Sequence, residues 1–408
     1  MSDLGEVREV LVTGLGAITP LGADAATTWA GMLAGTSGAG PIEEEWGAGL
    51  PVRVAAGLPI DPVSLLDRVE ARKLDRCEQL AMIGSREAWR DAGAPQVAPE
   101  RLAVVIGTGT GGVLSTLGQD DTFEKSGARR LSPYAVPMLM PNGPAAWVSM
   151  ELGAQGGART PVSACASGAE AIAMGLDLIR AGRADVVVAG GTEACLHPFT
   201  IAAFAQMKAL STADGDPQAV SRPFDVDRSG FVMGEGAGVL VLERAEFARA
   251  RRARVYGSVA GAAVTSSADH ITASDVAGQV RAIESALRDA ELSGPDIGVV
   301  HAHATSTPSG DLAEAQAVAK ALGTRPVVTA TKSMTGHMLG ASGAVGAIAA
   351  LLALRDGTVP ATRNLDRLDP EVTLDVVAGE NRTGSWDAAL ANSFGFGGHN
   401  VSLVLTRA

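Results

Sequence analysis

Thr160-Pro161-Val162-Ser163-Ala164-Cys165-Ala166-Ser167-Gly168-Ala169-Glu170-Ala171-Ile172 is the stretch on which the reading of this chain turns. A short apolar strand leads into a turn of small residues and a small-residue helix follows, which puts Cys165 at the helix N-terminus. Unpaired N–H groups and the positive end of the helix dipole there favour a thiolate, and any oxyanion formed beside it. Small neighbours let backbone amides approach whatever the sulfur attacks. A lone cysteine is more often a small buried residue than a nucleophile. The other two of the three cysteines read that way: Cys77 falls in a helical pattern from Leu74 to Met82, and Cys195 follows the apolar run Val186-Val187-Val188-Ala189. Three cysteines without paired spacing argue against a disulfide framework and fit a reducing, cytosolic compartment.

The design around Cys165 occurs twice. Val327-Val328-Thr329-Ala330-Thr331 leads through Lys332-Ser333-Met334-Thr335-Gly336-His337 into an apolar helix after Ser342. Each copy is followed by a strand ending in glycines, Val186 to Gly191 in one and Ala388 to Gly398 in the other. Leu102-Ala103-Val104-Val105-Ile106 is matched by Ile297-Gly298-Val299-Val300-His301. A twofold internal duplication accounts for all six segments. Strands this continuously apolar are expected in a parallel sheet covered by helices on both faces, with the reactive loops gathered at one edge. The halves are divided near the polar stretch Arg249-Ala250-Arg251-Arg252-Ala253-Arg254.

Composition agrees with an α/β class. The 408 residues are 46% hydrophobic but only 4% aromatic, with 50 glycines, so the core is built from Ala, Val, Leu and Ile. A formal charge of −12 without a strong Lys/Arg run disfavours nucleic acid as a partner. The opening Met1-Ser2-Asp3-Leu4-Gly5-Glu6 passes into the strand Val10 to Gly14 without an export signal. The apolar run from Ala344 to Leu354 is too short to span a bilayer and reads as a buried helix, so no membrane association is expected.

Two histidines stand in loops rich in Gly, Thr and Ser. His303 lies in His301-Ala302-His303-Ala304-Thr305-Ser306-Thr307-Pro308-Ser309-Gly310-Asp311, and His337 in the turn after Lys332. His301 and His303 have the spacing of a metal pair, but no carboxylate or Cys cluster completes a set, so no metal is expected. A loop histidine is commonly a hydrogen-bonded structural residue. Beside a helix-tip cysteine, two imidazoles suit acyl chemistry, each donating an N–H to a carbonyl oxygen.

The residues around Cys165 (Val-Ser-Ala-Cys-Ala-Ser-Gly) and His303 (Ala-His-Ala-Thr-Ser-Thr), the run Lys332 to His337 and Asn392-Ser393-Phe394-Gly395-Phe396-Gly397-Gly398 together resemble one family. It is the elongating β-ketoacyl-acyl-carrier-protein synthases, type II branch of the thiolase superfamily, of actinobacterial type. The likeness runs from Val10 to Leu405 with four motifs in order. It implies an α/β thiolase-like fold of two duplicated βαβαβαββ halves in a five-layered αβαβα core. Residues 1–250 would carry the nucleophile and 251–408 the two histidines. It further implies a cytoplasmic homodimer without a cofactor. Its reaction would be the decarboxylative Claisen condensation of a Cys-bound acyl group with malonyl-acyl carrier protein, in fatty-acid or polyketide elongation.

By the same resemblance, Cys165 takes an acyl group from acyl carrier protein, and its amide and that of Phe396 form the oxyanion hole. His303 and His337 hydrogen-bond the malonyl thioester carbonyl and stabilise the enolate left by decarboxylation. Lys332 balances charge around His303 and Glu314, although an ordinary salt-bridged lysine is the plainer reading. Asp311 and His301 are further supporting residues. Thr305 and Thr307 line the pantetheine arm, with His270 and Thr272 beside it. Phe396 gates the acyl pocket in a loop shared with Phe394 and Gly395. Thr110 stands where the family usually has a larger aliphatic residue, implying a roomier or more polar pocket mouth. Arg68, Arg72, Lys73, Lys208, Arg129 and Arg130 offer local positive charge to an acidic carrier protein. The partner subunit would contribute to pocket depth around Pro133 to Pro141.

Two positions depart from the family pattern, His301 for the usual Asn and Gly346 for the usual Glu. The imidazole is expected to fill the space left at Gly346, against Glu314, making a monovalent cation dispensable. Rival readings remain. A degradative thiolase needs a second cysteine near the C-terminal glycine turn, which holds Phe394, Phe396 and His399 instead. Initiating synthases use His and Asn in the second half, where this chain has His337. A papain-like protease lacks its expected context. A non-catalytic or specialised ketosynthase partner, or an inhibitor-tolerant paralogue, stays as the alternative; non-catalytic partners have lost the nucleophile, and Cys165 is present.

Overall fold

The computed structural model of the chain describes residues 8–42 and 45–408. The opening segment from Met1 to Glu6, read above as free of an export signal, lies outside the described residues. The core of each half runs strand, helix, strand, helix, strand, helix, strand, strand, with further helices such as Ala25–Leu33 and Val113–Ser126 inserted between these elements. The first half has β1 (Val10–Ile18), α1 (Arg76–Asp91), β2 (Leu102–Gly107), α2 (Gly143–Leu152), β3 (Ala158–Arg159), α3 (Ser167–Arg180), β4 (Val186–Glu193) and β5 (Gly236–Arg244). The second has β6 (Gly257–Ser266), α4 (Val276–Asp289), β7 (Val299–His301), α5 (Pro308–Leu322), β8 (Val327–Thr329), α6 (Ser342–Asp356), β9 (Ala388–Gly395) and β10 (His399–Arg407).

Across one 11-stranded sheet the order is β3-β2-β4-β5-β1, then β6-β10-β9-β7-β8 and a short edge strand, Asp375–Val376. The second set repeats the first, position for position, about the seam where Leu11 and Val12 pair with Ser258 and Gly257. α3 packs on β2, β4 and β5, α6 packs on β7, β9 and β10, and the two helices pack on each other. Ile172 and Leu176 of α3 share one apolar cluster with Val345 and Leu351 of α6. α1 and α2 cover the outer face of the first half-sheet, and α4 and α5 that of the second. The result is the five-layered αβαβα thiolase-like core. From Ser342 to Leu354, α6 is buried all round, which explains why it is apolar on every face. Among the described residues Leu339–Asp356 is the one stretch long and apolar enough to cross a membrane, and it lies inside the fold.

The sheet is not parallel throughout. Parallel pairing is confined to the β3–β2, β2–β4, β9–β7 and β7–β8 pairs and the edge strand. The pairs β4–β5, β5–β1, β1–β6, β6–β10 and β10–β9 are antiparallel. The apolar runs report burial on both faces, which the central helices impose on antiparallel strands as well. The strand expected within Thr160 to Ser163 does not form; the strand before Cys165 is the two-residue β3, Ala158–Arg159. β4 continues through its glycines to Glu193. A Cβ at Gly191 would stand 2.2 Å from the Gly340 carbonyl oxygen and 2.7 Å from Gly168 Cα, so glycine there lets the two reactive turns close on the sheet.

Candidate active site

Cys165 occupies a single 3-10 turn, Ala164–Ala166, directly ahead of α3. Ala164 takes φ +51°. The Ser167 hydroxyl closes the turn, accepting the Ser163 N–H at 3.0 Å and donating to the Ala164 carbonyl at 2.7 Å. Burial pushes the Cys165 thiol up to about 12; the Lys332 ammonium opposes this, the Glu193 carboxylate adds to it, and the N–H groups of Phe396 and Cys165 pull back down. The helix terminus was expected to favour a thiolate, yet removal from water outweighs it and the resting sulfur keeps its proton. The two amides that face the sulfur are the pair an oxyanion hole requires.

His303 follows β7, and His337 lies between the one-turn helix Lys332–Thr335 and α6. Their rings meet edge to face, centroids 5.4 Å apart, with Phe231 set edge-on to His337 at 5.2 Å. Cys165, His303, His337, Thr272, Thr305, Thr307, Phe394, Gly395 and Phe396 line one cavity. Burial, reinforced by the Lys332 ammonium, holds both imidazoles well below the usual histidine range, so each is neutral. His303 Nδ1 and His337 Nε2 are buried without a protein partner.

The supporting residues form a second ring. Lys332 is buried rather than a surface salt-bridge lysine, and its ammonium donates to the His303 carbonyl oxygen at 2.5 Å. Burial lowers its pKa to about 8, against the carboxylates of Glu314 and Asp311 and the Cys165 sulfur, which hold it up. Glu314 accepts the N–H groups of His303 at 2.8 Å and Ala304 at 2.6 Å and the Asn392 amide at 3.1 Å. Asp311 accepts from Ser306 and Thr307, at 3.1 and 3.3 Å, and thereby holds Ser306 at φ +73°. That turn sets Thr305 and Thr307 side by side, hydroxyls 3.1 Å apart.

Three expected placements are corrected. Thr110 does not line the cavity: its hydroxyl is drawn to Glu193 Oε1 at 2.6 Å. His270 is exposed outside the cavity, its Nδ1 3.2 Å from the Thr272 hydroxyl, and only Thr272 reaches the lining. His301 does pack over Gly346, but Nε2 lies 2.8 Å from the Thr331 hydroxyl and not against Glu314. Its ring is neutral, burial lowering the pKa to about 3.

Glu193 was not foreseen. Fully buried at the end of β4, it accepts the N–H groups of Gly109, Thr110 and Gly340 at 2.8, 3.1 and 3.0 Å, tying the loop after β2 to the turn before α6. A single acid closing an otherwise apolar strand was the available signal. Gln279 and Asn400 also line the cavity without having been marked by any motif. Of the basic residues, Arg68, Arg72, Arg129, Arg130 and Lys208 are exposed, while the Lys73 ammonium lies 5.7 Å over the Tyr134 ring. Val63, Leu65 and Val69, close to Arg68 in the sequence, are exposed as well.

Comparison with known proteins agrees with this geometry. The beta-ketoacyl synthase N-terminal domain matches residues 7–248 and the C-terminal domain residues 256–366. The 3-oxoacyl-[acyl-carrier-protein] synthase 2 of Mycobacterium bovis is 45% identical, covering 98% of this chain and 97% of its own. The ishigamide ketosynthase/chain length factor superposes with a TM-score of 0.93 at 33% identity, over 99% of this chain and 100% of that one. A chain from the complex of a type II PKS acyl-carrier protein with its ketosynthase bound to the hexaketide gives 0.90 at 28% identity, over 99% and 100%. With both domains matched and the likeness sustained along its whole length, the chain belongs to the β-ketoacyl synthase family.

Proposed function

We propose that the protein is an elongating β-ketoacyl-[acyl-carrier-protein] synthase working in two stages at Cys165. One observation carries this reading: two backbone N–H groups face a single sulfur, while two neutral imidazoles with unpartnered nitrogens line the same cavity. In the first stage the sulfur attacks an acyl thioester. A Cys165–acyl bond forms, the acyl–pantetheine bond breaks, and the thiol proton ends on the departing pantetheine sulfur. The amides of Cys165 and Phe396 hold the intervening oxyanion.

Malonyl-acyl carrier protein then enters past Thr272, Thr305 and Thr307. His303 and His337 donate to its thioester carbonyl, so loss of carbon dioxide leaves an enolate where two N–H groups already point. The enolate carbon attacks the acyl-Cys carbonyl, β-ketoacyl carrier protein departs, and a solvent proton restores the thiol. Lys332, Glu314 and Asp311 act on these groups by holding the two loops in place, and Phe396 gates the acyl side.

The same reading takes in the assembly. An acidic carrier protein docks on Arg68, Arg72 and Lys73, with Lys208, Arg129 and Arg130 adding positive charge. The working form is a cytosolic homodimer built on the edge strand β3, and residues 1–250 and 251–408 are the units that bring nucleophile and histidines together. A non-catalytic partner subunit is the competing reading, and retention of Cys165 with both donors argues against it. The deciding experiment is mass spectrometry of protein incubated with acyl carrier protein loaded with a fatty acyl chain, followed by malonyl carrier protein. An acyl adduct on Cys165 that converts to β-keto product is expected; absence of any adduct would overturn the proposal.

A further inference from the structure

Ser342, the first residue of α6, sits against the back of the His337 ring. Its Oγ lies 3.0 Å from His337 Nδ1 and accepts the Met338 N–H at 2.9 Å. A tight turn brings these neighbours face to face: Leu339 takes φ +39°, and the Ala341 N–H donates to the Met338 carbonyl at 2.9 Å. Both Ser342 and His337 are buried, 4% and 2% exposed.

A hydroxyl has one proton to give, and its surroundings decide where that proton goes. Ser342 Oγ already receives the Met338 amide, and His337 Nδ1 is the acceptor within its reach. Were the imidazole proton on Nδ1, both N–H groups would point at Oγ and the buried hydroxyl proton would have no acceptor, costing about 1–3 kcal/mol. With the proton on Nε2, every donor on this side is satisfied. The Nε2 nitrogen, which has no protein partner, then stands as an N–H on a side chain that lines the cavity. Burial and Lys332 keep the ring neutral, so it carries one proton and the choice of nitrogen matters.

We propose that Ser342 is a positioning residue that fixes His337 in its Nε2–H tautomer, presenting a hydrogen-bond donor to the substrate carbonyl. This rests on the reading of His337 as a carbonyl donor given above. The test is the long-range 1H–15N correlation spectrum of the full-length protein labelled at histidine, with His337 assigned by substitution. The wild-type protein is expected to show an unprotonated Nδ1 and a protonated Nε2. Ser342→Ala should erode that pattern and slow malonyl decarboxylation by up to about tenfold, the bias one ordinary hydrogen bond supplies. Ser342→Thr should restore both. A protonated Nδ1 in the wild type, or a His337 pattern unchanged in Ser342→Ala, overturns the proposal. The wild-type spectrum decides alone if Ser342→Ala does not fold. Since the tautomer is read without turnover, its failure is separable from failure of the wider reading, which would show as decarboxylation undiminished in His337→Ala.

Discussion

The imidazole of His301 fills the space above Gly346: a Cβ at position 346 would stand 2.8 Å from its Nδ1 and 2.9 Å from its Cε1. Alanine in a helix interior is ordinarily better than glycine by up to about 1 kcal/mol, but forcing a methyl into this contact costs about 1–3 kcal/mol. Gly346→Ala should therefore lower stability by about 1 kcal/mol in urea denaturation. Combined with His301→Asn, the same change should cost less than it does alone. A stabilising Gly346→Ala would show that the ring does not wedge this site.

The same packing bears on monovalent ions. Both Glu314 oxygens are taken by N–H donors, the Ser393 hydroxyl lies 3.4 Å from the Cys165 carbonyl oxygen, and the His301 ring fills the space at Gly346. Exchanging potassium for tetramethylammonium at constant ionic strength is expected to leave the melting temperature unchanged. A potassium-specific rise would mean that a cation is held after all.

Lys332 and Cys165 titrate against each other. The ammonium is the strongest influence lowering the thiol pKa, and burial has brought its own pKa down to about 8. Between pH 7 and 9 the thiolate fraction grows with pH while Lys332 loses the charge that favours it. In the wild type, the logarithm of the Cys165 alkylation rate by iodoacetamide should thus rise by less than one per pH unit. In Lys332→Met the slope should return to one, with a rate at pH 7 lower by on the order of tenfold. Equal slopes in the two proteins would remove Lys332 from any electrostatic role at the sulfur.

The places of Cys165 at a helix tip and of His303 and His337 in loops, and the duplicated architecture, could be read from the chain because each is written locally in the pattern of turns and apolar segments. Side-chain direction could not. Thr110 turns from the cavity because Glu193, 83 residues later, comes up at the end of β4 to take its hydroxyl. His301 turns to Thr331 on a neighbouring segment instead of Glu314. The Cys165 thiol was read from its helix terminus, a local feature, whereas its burial comes from distant residues such as Phe231, Met233 and Leu339, which share its apolar cluster.

Met150, on α2 which packs against β3, and Val162, just after β3, are exposed at 62 and 52% beside one of the two edges of the sheet. Apolar side chains beside an open sheet edge are suited to a second copy of the same surface. Sedimentation equilibrium should return twice the 41.3 kDa chain mass. The double change Val162→Asp and Met150→Glu should shift the species toward the single chain without loss of helical circular dichroism. A monomeric wild type at micromolar concentration would refute the edge-to-edge assembly.

Glu78 is a buried carboxyl with one oxygen engaged. Oε2 accepts the Asp75 N–H at 2.8 Å, and Oε1 has no partner, packed where a Cβ at Gly143 would come within 1.9 Å of it. Burial raises its pKa to about 8 from 4.5, the Asp75 N–H pulling the other way. The native state thus keeps a proton that the unfolded chain releases. The stability this proton contributes is complete below about pH 4.5 and is lost as pH rises through about 8. Glu78→Gln is neutral throughout, so at pH 5 it should differ little from the wild type. By pH 8.5 it should be the more stable protein by on the order of 4 kcal/mol. Urea denaturation at the two pH values measures this directly; a difference that does not change with pH would mean that Glu78 is ionised in the folded state, with Oε1 stabilised by a group not paired with it here.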